Sequence, residues 1–204
     1  MNPFWFFHNI QKKTLKQPMH ILFVGDVCKG KNVTTTIRMI KKLNEQGKNV
    51  IFDVVGDGEQ MHACVNLSHK LQIRDKVIFH GWKTTKEELK KCYDNAHIFV
   101  MLSYRETFGT TYIEAISQGL PIIYTKDQGV DGYFEDGQVG YRCDPDDVDM
   151  ARKKVISIIN NYDKISQNCI RESKKFSWEI VAKKYAGAVE NMLGSNFESS
   201  ELNI

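Results

Sequence analysis

The sequence predicts an α/β fold: a doubly wound, Rossmann-like parallel sheet with helices on both faces, finished by terminal helices. Apolar runs of five to seven residues (HILFVG, VIFDVVG, KVIFHG, HIFVML) recur from His20 onward with a polar, helix-like stretch between each pair. Near-continuous apolar runs are what strands buried on both faces require, and their alternation with amphipathic helices is the signature of parallel βα units. The stretch from Ser103 to Thr125, SYRETFGTTYIEAISQGLPIIYT, repeats the pattern once more as turn, helix and strand. At 204 residues the chain suits one domain of ordinary size, large enough to fold without metal or disulfide staples.

The elements follow in order. Residues 1–19 stand apart: Phe4, Trp5, Phe6 and Phe7 precede Lys12, Lys13 and Lys16, which describes either an aromatic patch packed on protein or a short peripheral membrane contact, with rings at the headgroups and lysines on anionic lipid. The segment is too short to span a bilayer and lacks the apolar core of a signal peptide. Residues 20–193 form the predicted domain. In the helix from about Val33 to Glu45, Ile37, Ile40 and Leu43 keep three- and four-residue spacing, and between Lys86 and Tyr93, Leu89 pairs with Tyr93; these are core positions. After the central stretch come a weak strand, GYRC, a helix start at Asp144-Pro145-Asp146-Asp147 with Pro145 in the first turn, and terminal helices ending near Leu193. Residues 194–204 read as a frayed tail.

Composition narrows the function classes. A 42% apolar and 26% charged chain with 28 basic against 25 acidic residues is globular, and it lacks the general positive field of a nucleic-acid binder. Five scattered cysteines without a CxxC argue against a disulfide framework or a zinc knuckle and fit a reducing cytoplasm. His62 and His69 lie seven apart, a spacing that does not make a compact metal site on a helix, and no metal is expected.

In open parallel sheets ligands bind beyond the carboxyl ends of the strands, so the βα turns carry the chemistry. The first turn, GDVCKGKN, holds Lys29 and Lys31 beside two glycines; it either brings ammonium groups onto a phosphate or is a solvated loop. It is not a Walker loop, since Asn32 stands where Ser or Thr is required. GDGEQ is a fragment of GxGxxG and reads as a tight strand-to-helix turn. At Phe108-Gly109-Thr110-Thr111 a strand gives way to a helix, whose first-turn N–H groups are free for an anion. Glu106 lies in that turn and Glu114 eight residues on, roughly 12 Å along a helix axis at about 1.5 Å per residue. Phosphate at the amides and a carboxylate on another part of the ligand suggest a nucleotide. His80 ends a strand at the same edge, placed to touch a base or donor, whereas His97 begins a strand at the opposite edge.

The ordered set ILFVG…KGKN, VVGDGEQ, KVIFHGW, SYRETFGTTYIEA, QGLPII and FSWEIVAKKY resembles the C-terminal, donor-binding domain of the family 4 (group 1) retaining glycosyltransferases, which have the two-domain GT-B fold. The resemblance covers about His20 to Leu193 and is most specific at Glu106-x7-Glu114. It implies transfer of a sugar, with retention and without a required metal or other cofactor, from a UDP- or GDP-linked donor to a glycan or lipid-linked acceptor. It places Glu106 against hydroxyls of the donor sugar, Glu114 on the ribose, the Gly109-Thr110-Thr111 amides and Lys31 on the diphosphate, and the Ile78–Gly81 backbone, with His80, beside the base. Lys31 and Glu106 are then the catalytic candidates. Members often carry Arg after the first strand's glycine where this chain has Asp26, with Lys29 as the compensating cation; Gly129-Val130-Asp131-Gly132 replaces the family's Gly-x-Pro-Glu. The resemblance also implies an acceptor domain, on a partner or on a missing N-terminal part, at the inner face of the membrane or in the cytoplasm. The alternative from another class is a non-catalytic nucleotide-sugar-binding module. A receiver domain would need an acidic pair after the first strand and an Asp after the third, and GDVC and FHGW do not supply them.

Overall fold

A computed structural model of the chain describes residues 14–198. The aromatic cluster Phe4–Phe7 and the last residues, 199–204, lie outside the described residues.

Six parallel strands make one sheet: β1 Met19–Val24, β2 Val50–Val55, β3 Val77–Gly81, β4 Ile98–Met101, β5 Ile122–Thr125 and β6 Gly140–Cys143. Their spatial order is β3-β2-β1-β4-β5-β6. The chain winds outward from β1 to β3, returns to the middle at β4 and winds outward again to β6, so the reversal lies between β1 and β4. Loops leaving those two strands diverge, and the crevice between them is where a doubly wound sheet binds its ligand. β1 and β4 are joined over a short register, Ile21 opposite Ile98 and Leu22 opposite Phe99.

The helices between strands are α1 Val33–Glu45, α2 Met61–Lys70, α3 Lys86–Asn95 and α4 Thr110–Ser117; α5 Val148–Asn160, α6 Tyr162–Ser173 and α7 Trp178–Glu198 follow β6. Ile37, Ile40 and Leu43 are fully buried, as is Tyr93, while Leu89 packs on the core from a half-buried position. All four residues of β4 and of β5 are buried, in line with strands sandwiched between helix layers. Helix α3 begins with a capping box in which Thr85 and Glu88 satisfy each other's backbone N–H groups.

Two sequence expectations shift. Helix α5 starts at Val148 with Asp147 as its cap, the Asp147 carboxylate accepting from the Met150 N–H at 2.8 Å. Pro145 therefore precedes the helix, and its carbonyl accepts from Asn32 Nδ2 at 2.7 Å; the acids provide the cap, and the proline lends its free carbonyl to the first βα turn. Helix α7 runs through Glu198, past the Leu193 boundary. No described helix is long and apolar enough to cross a membrane.

Candidate functional site

The turn after β4 is pinned from three sides. The Tyr104 N–H donates to the Gly30 carbonyl at 2.8 Å, which ties this turn to the turn after β1. The Glu106 N–H donates to Gln128 Oε1 at 3.0 Å, and the Gly129 N–H returns to the Glu106 carbonyl at 3.0 Å. The Thr125 hydroxyl donates to the Ser103 carbonyl at 2.8 Å, and Tyr104 donates to Asp146 at 2.5 Å. The backbone of Glu106 is thus held by the loop after β5. Gln128, which performs this, carries no motif signal in the sequence.

Gly109 caps α4 with φ of +74°, a left-handed conformation. A Cβ there would lie 2.4 Å from the Tyr112 ring and 3.1 Å from Glu106 Cγ. Gly129, at φ +58°, approaches Glu106 from the other side, where a Cβ would sit 3.0 Å from its Cγ. Both positions need glycine for backbone angle and for space, and together they leave the Glu106 side chain a slot. Beyond Gly109, Thr110 and Thr111 are the first residues of α4, so their N–H groups have no carbonyl within the helix to pair with. Tyr112 anchors the helix through its hydroxyl, which donates to the Met101 carbonyl at 2.6 Å.

The first turn supplies the cation. Lys29–Lys31 form one 3-10 turn ending at Asn32 in left-handed geometry, φ +49°. The Asn32 side chain accepts from Thr35 and donates to Pro145, which fixes where the turn delivers Lys31. Lys31 Nζ lies 2.5 Å from Glu106 Oε2, with the two side chains 24% and 12% exposed. The residues read as the two catalytic candidates from distant parts of the sequence are an ion pair at the β1–β4 crevice. Lys29 is exposed, and its N–H lies 3.5 Å from the Glu59 carboxylate.

Glu114, in the middle of α4, accepts from the Tyr93 hydroxyl on α3 at 2.8 Å. Burial raises its pKa from 4.5 to about 7, against a lowering by the Tyr93 hydrogen bond. Burial in turn, and the nearby Glu114 charge, raise the Tyr93 hydroxyl well above its ordinary value. Ser103 Oγ, just past β4, is buried with no hydrogen-bond partner among the described residues.

The carboxyl edge is divided by charge. On the β2 and β3 side, Asp26, Cys28, Asp57, Gly58, Glu59 and Trp82 line an open hollow of about 660 Å³; Asp26 is the acid that the sequence singles out, whereas Asp57 and Glu59 lie in GDGEQ, whose glycines give the turn signal and whose acids carry no motif. The acids disfavour phosphate there. On the β4 side lie Lys31 and the α4 N-terminus, which favour it.

His80 does not join this group. Its Nε2 lies 2.7 Å from Asp53 Oδ1, and Asp53 Oδ2 lies 2.6 Å from His20 Nδ1, so three adjacent strands are laced by one carboxylate. These residues line a separate cavity of about 380 Å³ with Ile78, Lys83 and the α3 residues Lys91, Cys92 and Asn95. The His80 side chain, paired with Asp53, lies on the sheet face beneath α3. His97 accepts from the His20 N–H at 3.0 Å and holds the amino edge of β1 against β4. His62 and His69 are exposed, and among the described residues no group of three His, Cys, Asp or Glu side chains is arranged to hold a metal.

Comparison with known proteins shows the family and the fold. The family described as Glycosyl transferases group 1 matches residues 6–176. An uncharacterized glycosyltransferase of Methanocaldococcus jannaschii is 29% identical over 168 residues, covering 80% of this chain and 43% of that protein. The 2-deoxystreptamine N-acetyl-D-glucosaminyltransferase of Niallia circulans is 28% identical over 164 residues, 80% of this chain and 41% of that one. The chain thus spans about two fifths of the length of these relatives. Among solved structures, the C-terminal domain of a glycosyl transferase group 1 family protein from Francisella tularensis superposes with a TM-score of 0.70 at 20% identity, over 78% of this chain and 85% of that one. The pneumococcal O-GlcNAc transferase, solved with UDP and GlcNAc, gives 0.75 at 22% identity, over 87% of this chain and 36% of that one.

Proposed function

This chain belongs to the glycosyl transferases of group 1, and from that premise we propose that it is the donor-binding half of an enzyme that transfers a hexosyl-type sugar, with retention, from a nucleoside diphosphate sugar to a glycan or lipid-linked acceptor. One observation carries the reading: Lys31, Glu106 and the free first-turn amides of Gly109, Thr110 and Thr111 meet at the β1–β4 crevice, with Glu114 farther along the same helix. The pneumococcal relative of the fold, solved with UDP and GlcNAc, supports a UDP-type donor.

In this reading the amides and Lys31 receive the diphosphate. As the glycosidic bond to the donor breaks, negative charge grows on the departing phosphate oxygens, so a preorganised cation and amides stabilise the transition state more than the ground state. Lys31 and the α4 amides supply that stabilisation without a required metal. Glu106, fixed by Gln128 and the two glycines, accepts hydroxyls of the donor sugar, and Glu114 accepts those of the ribose. Lys29, exposed on the first turn, supplies positive charge where Asp26 removes it.

The matched region makes up only about two fifths of those relatives, so the acceptor side is assigned to a further domain, covalent or separate. The five free cysteines favour a reducing, cytoplasmic setting, with the aromatic segment at Phe4–Phe7 as a contact to the inner face of the membrane. Calorimetric titration of the chain with UDP, GDP and their sugars tests the core of the reading. Binding of one nucleoside diphosphate, strengthened by its sugar, is expected; absence of binding by all of them refutes it. Turnover on adding an acceptor-domain chain would separate the enzyme from a non-catalytic binding module.

A further inference from the structure

We infer that Tyr93 is a positioning residue for ribose recognition: from α3 its hydroxyl occupies one oxygen of the Glu114 carboxylate on α4 and leaves the second oxygen as the acceptor for ribose hydroxyls. This rests on the reading of Glu114 as the ribose carboxylate.

The geometry is specific. The Tyr93 hydroxyl donates to Glu114 Oε2 at 2.8 Å. Tyr93 has no exposed surface, and its ring stacks on Phe99 of β4 at 6.4 Å between centroids; Phe99 in turn meets Tyr112 of α4 edge-on at 5.6 Å. The hydroxyl is therefore delivered by a ring that the core holds still. A carboxylate has lone pairs for about four hydrogen bonds, so one donor from the protein leaves capacity for a diol, while taking away the freedom of the Glu side chain to swing. A preset acceptor saves the ligand the cost of ordering it.

The hydrogen bond has a second effect. It favours the ionised carboxylate, and burial opposes it. The groups acting on Glu114 from the neighbouring helix are Tyr93 itself and, through Tyr93, the adjacent Cys92. Without the hydroxyl, burial alone governs Glu114, and the carboxylate is protonated over a wider pH range. A protonated Glu114 accepts hydroxyl hydrogens poorly. Tyr93 thus aims the acceptor and partly offsets burial, widening the pH range over which the carboxylate is charged.

The test uses the whole chain and compares UDP and GDP with their 2′,3′-dideoxy analogues by calorimetry across a pH series. Glu114→Gln examines the parent reading: loss of the preference for the ribonucleotide is expected, and a preference retained in full overturns the ribose assignment. Tyr93→Phe keeps the ring and removes the hydroxyl. Its ribonucleotide affinity should fall about tenfold, the loss of one hydrogen bond to a charged group, while dideoxy affinity stays the same and the pH at which ribonucleotide binding rises moves upward. Equal losses for both nucleotides, or no loss with an unmoved pH profile, overturn the Tyr93 inference even where Glu114→Gln behaves as expected. Should Tyr93→Phe fail to fold, the unmutated chain labelled with fluorotyrosine decides by fluorine NMR: the Tyr93 resonance is expected to move with the ribonucleotide and not with the dideoxy analogue, and a resonance indifferent to both overturns the inference.

Discussion

Replacing Glu106 by Gln separates the ion pair that this carboxylate makes from the sugar contact proposed for it. The carboxylate pairs with Lys31 at 2.5 Å, with both side chains mostly shielded from water at 24% and 12% exposure. Glutamine keeps the shape and the slot between Gly109 and Gly129 but leaves the ammonium with a neutral partner. The cost to folding should be about 1.5 kcal/mol, above the value of an exposed pair and below that of a fully buried one. For a chain of this size that corresponds to a fall in Tm of roughly 3–6 °C. Nucleotide binding should move the other way. A diphosphate arriving at Lys31 must share it with a carboxylate of its own sign, and removing that charge relieves a repulsion of about 1 kcal/mol, roughly a fivefold gain in affinity for the bare nucleoside diphosphate. The added affinity that the sugar confers should disappear, because the acceptor for its hydroxyls has lost its charge. Thermal unfolding and calorimetry on the same preparation read all three quantities. Unchanged affinity for the bare nucleotide together with an undiminished sugar increment would refute the assignment of both roles to Glu106.

Further outcomes follow from the same contacts. Gly109→Ala should cost about 3 kcal/mol in chemical unfolding, since the new Cβ meets the Tyr112 ring at 2.4 Å from a left-handed backbone, and nucleotide affinity should fall with it. Glu114 is held protonated by burial up to about pH 7 against an ordinary 4.5, so between those values the folded state binds more protons than the unfolded; stability should decline as pH rises through that window and level off above it, and Glu114→Gln should flatten the slope in urea titrations. Asp53 has the opposite sign, since its hydrogen bonds to His20 and His80 lower its pKa against a raising by burial; its contribution is present at neutral pH and is lost as pH falls through the carboxylate range. Asp53→Asn should lower Tm by roughly 4–8 °C, as a carboxylate bridging three strands is worth about 2 kcal/mol, without changing nucleotide affinity, because this cavity is separate from the crevice.

The sheet and the crevice were legible because they are written in short-range pattern. Apolar runs separated by amphipathic stretches fix a parallel sheet, and Glu106 and Glu114 share one turn-helix unit, so spacing alone put the anion site and the second carboxylate together. What stayed hidden depends on pairing between distant segments. Tyr93 and Glu114 sit on different helices, and the helical pattern that marks Tyr93 as core says nothing of where its hydroxyl goes. Gln128 acts from a loop without periodicity. Asp53 was the one available signal: a charge inside VIFDVVG has to be satisfied somewhere. Only the register, Leu22 opposite Asp53 and Asp53 opposite Ile78, brings His20 and His80 onto its face.

The charge division of that edge constrains how a donor lies. Asp26, Asp57 and Glu59 occupy the β2 side, so a diphosphate placed there would face three carboxylates and Lys29 alone in opposition. At the β1–β4 crevice it meets Lys31 and unpaired amides. The substitution of Asp for a cation after the first strand therefore repels phosphate from one flank and narrows its position to the other, where α4 begins. In this reading Lys31 is the cation closest to that position, with Lys29 on the acid-lined flank, and its ion pair with Glu106 sets its direction. In the proposed reading a donor held this way rests on one ammonium, one helix terminus and two carboxylates, all rooted at the carboxyl edge of the sheet.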